Sequence, residues 1–252
     1  MTTSRPICLS FCLFLMGLSL LVSPLSAQHL LSDSAFYQAA TSRHLENYQI
    51  NMGPDNRLYN GPEYLRRGQG VRGYPFFLSD SLLPGNLRYQ DATFSHIGLL
   101  YDLVSDDLII NDYTHNAYIK LIKEKLTGFS IRQHNFLWLP SEKSTAPVIK
   151  TGFYEQLLGS YEAPVSLYCK HEKKVAIPAN AEEQPKYIQS DIYFLKLNQD
   201  FYPIENLRSL LLIVKDKKDS LKKYIGENHL DFRHDFEQSL IKTIGYYAQI
   251  RS

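Results

Sequence analysis

Turn chemistry punctuates the middle of this chain at the pitch of an antiparallel sheet. Between Leu58 and Leu197 stand Asn60-Gly61, Gly73-Tyr74-Pro75, Pro84-Gly85-Asn86, Asp106-Asp107, Gly128, Gly159 and Pro164. The first three breaks fall 11 to 13 residues apart and the later ones are less regular, and at each of them glycine, asparagine, aspartate or proline supplies the backbone angles of tight turns. Short runs rich in β-branched and aromatic residues lie between them, over 73–78, 87–93, 96–101, 108–111, 129–131, 136–139, 152–158, 165–170 and 191–197. Such side chains suit a pleated, half-buried surface, so these runs predict the strands of a meander. In Ile192-Tyr193-Phe194-Leu195-Lys196-Leu197 both faces carry apolar residues, which predicts a central strand covered on two sides. Over 118–126, Ile119, Ile122 and Leu126 fit a helix, while the position between turns favours a strand.

After Asp200 the period changes. Pro203 stands where a first helical turn tolerates proline, and Leu207, Leu210, Leu211 and Val214 form an apolar stripe. A second helix is predicted over about 216–227, with Leu221, Tyr224 and Ile225 on one face and lysines on the solvated other. A third is predicted over about 232–249, with Phe236, Leu240, Ile244 and Tyr247 at spacings of three and four. The expected fold class is therefore α+β: mainly an antiparallel β meander, as a curved sheet or partly open barrel, with a C-terminal helical segment packed on it.

The N-terminus reads as an export signal. Arg5 precedes an apolar run from Ile7 to Val22, followed by the helix breaker Pro24 and the small-residue site Leu25-Ser26-Ala27. The run falls short of the roughly 20 apolar residues that span a bilayer core, which favours cleavage over anchoring. The expected organisation is a cleaved signal peptide over 1–27, an N-terminal arm over 28–57 that is either a short helix (Phe36, Ala39, Ala40) or a loosely docked segment, a β domain over 58–200 and helices over 201–252. Cys8 and Cys12 leave with the signal, so Cys169 stands alone and no intramolecular disulfide holds the mature domain. A net charge of +1 for the full chain falls to zero when Arg5 is removed. Phosphate contacts demand an excess of lysine and arginine, so this balance argues against nucleic acid as a partner. No later stretch predicts a membrane span.

Leu58-Tyr59-Asn60-Gly61 with Tyr64, Gly73-Tyr74-Pro75-Phe76-Phe77, Gly85 through Tyr89, Leu100-Tyr101-Asp102, Gly152-Phe153-Tyr154-Glu155 and Lys218 through Tyr224 form a series over most of the mature chain. It resembles a group of uncharacterised, exported, β-rich proteins of Gram-negative bacteria. The resemblance rests on turn and strand residues; it implies export and the β domain, and it transfers no catalytic residue.

The residues that bear chemistry do not assemble into a known motif. His229 and His234 are five apart, whereas a metal-binding helix needs a spacing of four. Cys169 and His171 are the best local pair, since residues two apart on a strand share a side, yet two ligands do not close a metal site. The preferred reading is a buried cysteine beside an exposed histidine at a strand end, with no metal and no cofactor. There is no Gly-x-Ser-x-Gly elbow, and a Cys169 nucleophile would need His96, His115 or His134 brought close by the fold. Asp106-Asp107 reads as a hairpin turn rather than a pair of catalytic carboxylates. Gly68 to Gly73 lacks the Lys-Ser/Thr ending of a phosphate loop and reads as a flexible loop. Tyr59, Tyr64, Tyr74, Tyr89 and Tyr101 are the candidate ligand-binding residues, each a flat apolar face with a polar tip, with core packing as the competing role.

These observations predict an exported cell-envelope protein with a non-catalytic binding or structural role, in the periplasm, on the outer membrane or outside the cell. The partners in view are an envelope protein, a peptide, a glycan or an apolar ligand. The alternative is a hydrolase acting on envelope or extracellular polymers. Convergence of a histidine, a carboxylate and a hydroxyl or thiol in a deep pocket would favour that alternative.

Overall fold

The computed structural model describes residues 57–66, 68–141, 148–180 and 182–251. The expected signal peptide, and the expected arm as far as residue 56, lie outside them. Ten strands form one antiparallel, unclosed sheet: β1 (Leu83–Tyr89), β2 (Ala92–Asp102), β3 (Asp107–Asp112), β4 (Ala117–Lys120), β5 (Leu126–Ile131), β6 (His134–Leu139), β7 (Gly152–Leu158), β8 (Val165–Ala176), β9 (Lys186–Leu197) and β10 (Asp200–Ile204). Their spatial order is β10-β9-β8-β7-β6-β5-β1-β2-β3-β4. Three helices follow: α1 (Leu207–Ile213), α2 (Lys218–Glu227) and α3 (Phe236–Ile250). The α+β meander with C-terminal helices packed on it is therefore the fold. No helix among the described residues is long and apolar enough to cross a membrane.

The order contains one jump, from the edge strand β4 back to β5 beside β1. In a flat sheet this is a gap of four strands, roughly 19 Å at about 4.8 Å per strand. Register also sets Lys120 level with the start of β1, through Ile109, Ile110 and Leu99, whereas Leu126 pairs with Tyr89 at its end. The connection over 121–125, three residues of which form a 3₁₀ turn, is too short for both displacements. The sheet is therefore strongly coiled. A bulge helps to bend it: three steps on β2 oppose two on β1 between Gly85/Ile97 and Leu87/Phe94. There His96 sits at φ 58° and its N–H donates to Asn86 Oδ1 at 3.1 Å.

The coil encloses an aromatic core. Tyr101, Phe129, Phe136 and Phe153 make edge-on and stacked contacts with centroids 4.7 to 6.1 Å apart, and Phe77 joins them at 5.2 Å from Phe136. A second core lies under the helices, where Val165, Leu167 and Leu195 meet Leu210, Leu221, Leu240 and Ile244. A third, on the opposite face, joins Tyr154, Tyr168, Phe194 and Phe201. Phe194 and Leu195 thus bury opposite faces of β9, as the apolar run required, although β9 is next to the edge strand rather than central.

Several boundaries differ from expectation for identifiable reasons. The run 73–78 is not a strand: Gly73 and Leu78 both take positive φ, and only Phe76 makes a bridge, to Asp102. Pro84-Gly85-Asn86 lies inside β1 rather than in a turn, because a side chain at Gly85 would collide with the Ser130 carbonyl and the Leu99 side chain. The glycine marks close strand approach. The run 87–93 is cut by a two-residue hairpin whose first residue, Gln90, takes φ 54°. Arg132 does the same between β5 and β6, and neither carries a turn signature in sequence. Pro203 belongs to the edge strand β10, where a missing N–H costs no ladder bond on the open side. α1 instead starts after Asn206, whose side chain accepts from Ser209 N–H while the Ser209 hydroxyl accepts from Asn206 N–H, a reciprocal cap. The run 118–126 divides into the end of β4, the 3₁₀ turn and the first residue of β5.

Candidate functional site

On β6 to β9 the alternation of side chains brings five polar residues to one face, between the aromatic core and the core under the helices. Glu155 on β7 stands opposite Phe136 on one side and Cys169 on the other, Cys169 stands opposite Tyr193, and His171 stands opposite Asp191. His134, two residues before Phe136, shares its face. His134 Nδ1 lies 2.6 Å from Glu155 Oε1, His171 Nε2 lies 2.7 Å from Glu155 Oε2, and His171 Nδ1 lies 2.7 Å from Asp191 Oδ1. Phe77 packs against both imidazoles, its ring centroid 5.1 Å from each histidine ring. His171 is buried in the middle of β8, not exposed at a strand end. The strand is longer than its apolar pattern indicated, because its polar second half is held by β9 along the whole hairpin.

A carboxylate at each nitrogen decides the state of His171. Burial disfavours its charge, but hydrogen bonds with Asp191, Cys169 and Glu155 outweigh burial and raise its pKa to about 12, so it is an imidazolium donating both N–H groups. Burial pushes Glu155 up, and its bonds to His171 and His134 more than reverse that, leaving it below the usual carboxylate range. Asp191 is likewise lowered on balance, burial being overcome by His171 and Gln189. Cys169 Sγ lies 3.7 Å from His171 Nδ1, whose proton is committed to Asp191. Burial raises the thiol above its ordinary value, with His171 offsetting only part of this. A wholly buried, protonated thiol beside an imidazolium has neither the thiolate nor the free base of a Cys-His nucleophile.

A second cluster lies across β8. Lys170 Nζ donates to Asp106 Oδ1 at 2.7 Å and to the Phe153 carbonyl at 3.0 Å. Asp106 also accepts from the Tyr101 hydroxyl at 2.6 Å and from Phe153 N–H at 3.3 Å. Asp106 does occupy the predicted hairpin turn, at φ 59°, while Asp107 opens β3.

The candidate tyrosines do not share a groove. Tyr89 and Tyr101 are packed in the aromatic core, with Tyr59 partly buried against it. Tyr64 and Tyr74 lie instead with Phe76, Leu100 and Ile109 in a small separate cluster. Of the five, only Tyr64 lines the cavity of about 300 Å³ between the segment before β1, the β2–β3 turn and the β8–β9 hairpin. Its walls include Leu65, Pro75, Val104, Val175 and Tyr187, and at one end Tyr64 donates to Asp102 Oδ2 at 2.8 Å. Asp102 Oδ1 takes the N–H groups of Val104 and Ser105 at 2.8 and 3.2 Å, which fixes the cavity's polar end to the β2–β3 turn. Burial, then the bond to Asp102, push the Tyr64 hydroxyl well above its ordinary pKa, so it remains a donor.

His229 and His234 lie between α2 and α3 rather than on a helix, and His234 pairs with Asp231 at 2.7 Å. Sequence reasoning singled out Cys169 and His171 but not Glu155 or Asp191. The available signal was alternation: Phe153 faces the core, so Glu155 had to face it too. No family model, curated protein or solved structure matches this chain.

Proposed function

We propose that the mature chain is an exported cell-envelope protein that binds rather than catalyses, and that the cavity beside Tyr64 receives an apolar group of its ligand. The observation that carries this reading is the cavity's mouth. Leu65, Val104 and Val175 leave 69%, 50% and 41% of their surfaces in water around a concave site of about 300 Å³. Converging exposed apolar side chains mark interaction sites, and small-ligand pockets begin at about this volume. The occupant of this reading is an apolar side chain or small apolar ligand, with Asp102 and Tyr64 fixing orientation at the polar end. Native mass spectrometry of protein purified gently from its own envelope checks for co-purifying mass. In parallel, the fluorescent apolar probe anilinonaphthalene sulfonate is expected to bind wild type and to lose at least tenfold in affinity in Val104→Glu at unchanged Tm. Equal probe binding by the variant, with a bare chain in the spectrometer, defeats the reading.

The alternative hydrolase reading draws on the meeting of His171, Glu155, Asp191 and Cys169. It requires turnover of an envelope polymer by the mature protein and its loss in Cys169→Ala. The buried, protonated thiol places it second.

A further inference from the structure

We propose that Cys169, His171 and Asp191 bind a zinc ion, with Glu155 orienting the histidine and water completing the coordination. The thiol sulfur, one imidazole nitrogen and one carboxylate oxygen lie within 4.8 Å of one another. Cys169 Sγ and His171 Nδ1 are 3.7 Å apart. Tetrahedral zinc, with Zn–S near 2.3 Å and Zn–N near 2.0 Å, sets these two atoms about 3.6 Å apart, so the strand holds them at ligand spacing. His171 Nδ1 and Asp191 Oδ1, at 2.7 Å, share a proton that the ion would replace, and their separation would widen to about 3.3 Å. Asp191 is the partner free to make that adjustment, its side chain being 36% exposed whereas His171 is 7% exposed.

The surroundings complete the argument. His171 Nε2 donates to Glu155 Oε2 at 2.7 Å, and Glu155 is itself held by His134 at 2.6 Å. A carboxylate on the far nitrogen is the partner that metal-bound imidazoles use to fix their orientation. The sulfur, nitrogen and oxygen donors together suit zinc rather than calcium or magnesium, which take oxygen alone. A buried carboxylate, Glu155, and a partly exposed one, Asp191, flank one imidazole and make a field that favours a cation. On binding, one proton leaves the thiol and one leaves Nδ1, both to solvent, and two new ligand bonds take their place. Three protein ligands leave a position for water. The site is formed by other residues than the cavity beside Tyr64, so either proposal stands without the other.

The test uses the whole mature protein, reduced and stripped of metal by a chelator. Zinc is titrated against a chromophoric competitor, and cobalt(II) is added separately as a spectroscopic substitute. The expected result is one zinc per chain, with a raised Tm and a thiolate-to-cobalt charge-transfer band. Asp191→Asn, at a partly exposed position, keeps its fold and weakens zinc at least tenfold. Cys169→Ser abolishes the cobalt band, and Glu155→Gln weakens zinc about 10- to 100-fold. Failure of the wild type to bind stoichiometrically overturns the proposal, as does binding that Cys169→Ser and Asp191→Asn leave unchanged.

Discussion

Lys170 and His171 are neighbours on β8 whose side chains leave by opposite faces into two buried charge clusters of different construction. Around Lys170 the donors and acceptors match: its ammonium meets Asp106 and the Phe153 carbonyl, and Asp106 meets Tyr101 and Phe153 N–H. That cluster pins the β2–β3 turn to β7 and β8, and no ligating atom in it stands unused. Around His171 the imidazolium is shared by two carboxylates, while the sulfur of Cys169 has only a 3.7 Å contact. Saturation makes a strut, whereas a donor atom left over beside a movable carboxylate makes a place that can take a ligand.

The largest effect is expected at Lys170→Met. Asp106, its side chain 23% exposed, would lose its cation beside Tyr101. Removing one partner of a buried pair costs about 3–5 kcal/mol, and the partial exposure of Asp106 sets the expectation at the low end, about 3 kcal/mol, read as a fall in urea midpoint. Should that variant unfold at the wild-type midpoint, the strut is not one. Glu155→Gln is expected to cost less, about 2 kcal/mol, because an amide of the same shape still accepts from His171. A loss equal to that of Lys170→Met would show that the His171 cluster is also a strut. Tyr64→Phe removes one hydrogen bond while Asp102 retains its two backbone donors, and about 1 kcal/mol is expected from chemical denaturation.

The smallest expected effect belongs to an ion pair at the edge of the coil and depends on pH. Asp107 lies 2.9 Å from Lys123 and 3.3 Å from Lys120. Burial pushes its pKa up, but Lys123, Ser105 and Lys120 together bring it below the ordinary carboxylate value. A lowered folded pKa contributes stability above the unfolded value of about 3.9 and loses it as pH falls through the folded value. The lysines are about 30% exposed, so solvent screening holds the contribution to roughly 0.5–1 kcal/mol. Asp107→Asn is expected to lower stability by that amount at pH 7 and to converge with wild type as pH falls through the lowered folded value, measured by denaturant titration across pH. A constant difference at every pH would remove the ion pair from the account.

Local chemistry determined the class of fold. Turn residues and apolar alternation fix where a chain reverses and which face of a strand is buried, and the spacing of Leu240, Ile244 and Tyr247 fixes a helix, because both periods are properties of a few consecutive residues. The hairpins at Gln90 and Arg132 escaped that reading because cross-strand pairing imposes a positive φ on residues with no preference for it. The same holds for the β5–β1 pairing, which follows from coiling. Neither Cys169 with His171 nor Glu155 alone specifies a site. Glu155, His171 and Asp191 meet only because β7, β8 and β9 pair in one register, which is set by apolar packing on both faces rather than by the polar residues themselves. Strands, helices and their inward faces follow from neighbouring residues; which inward-facing groups touch follows from register and coil across segments distant in the chain.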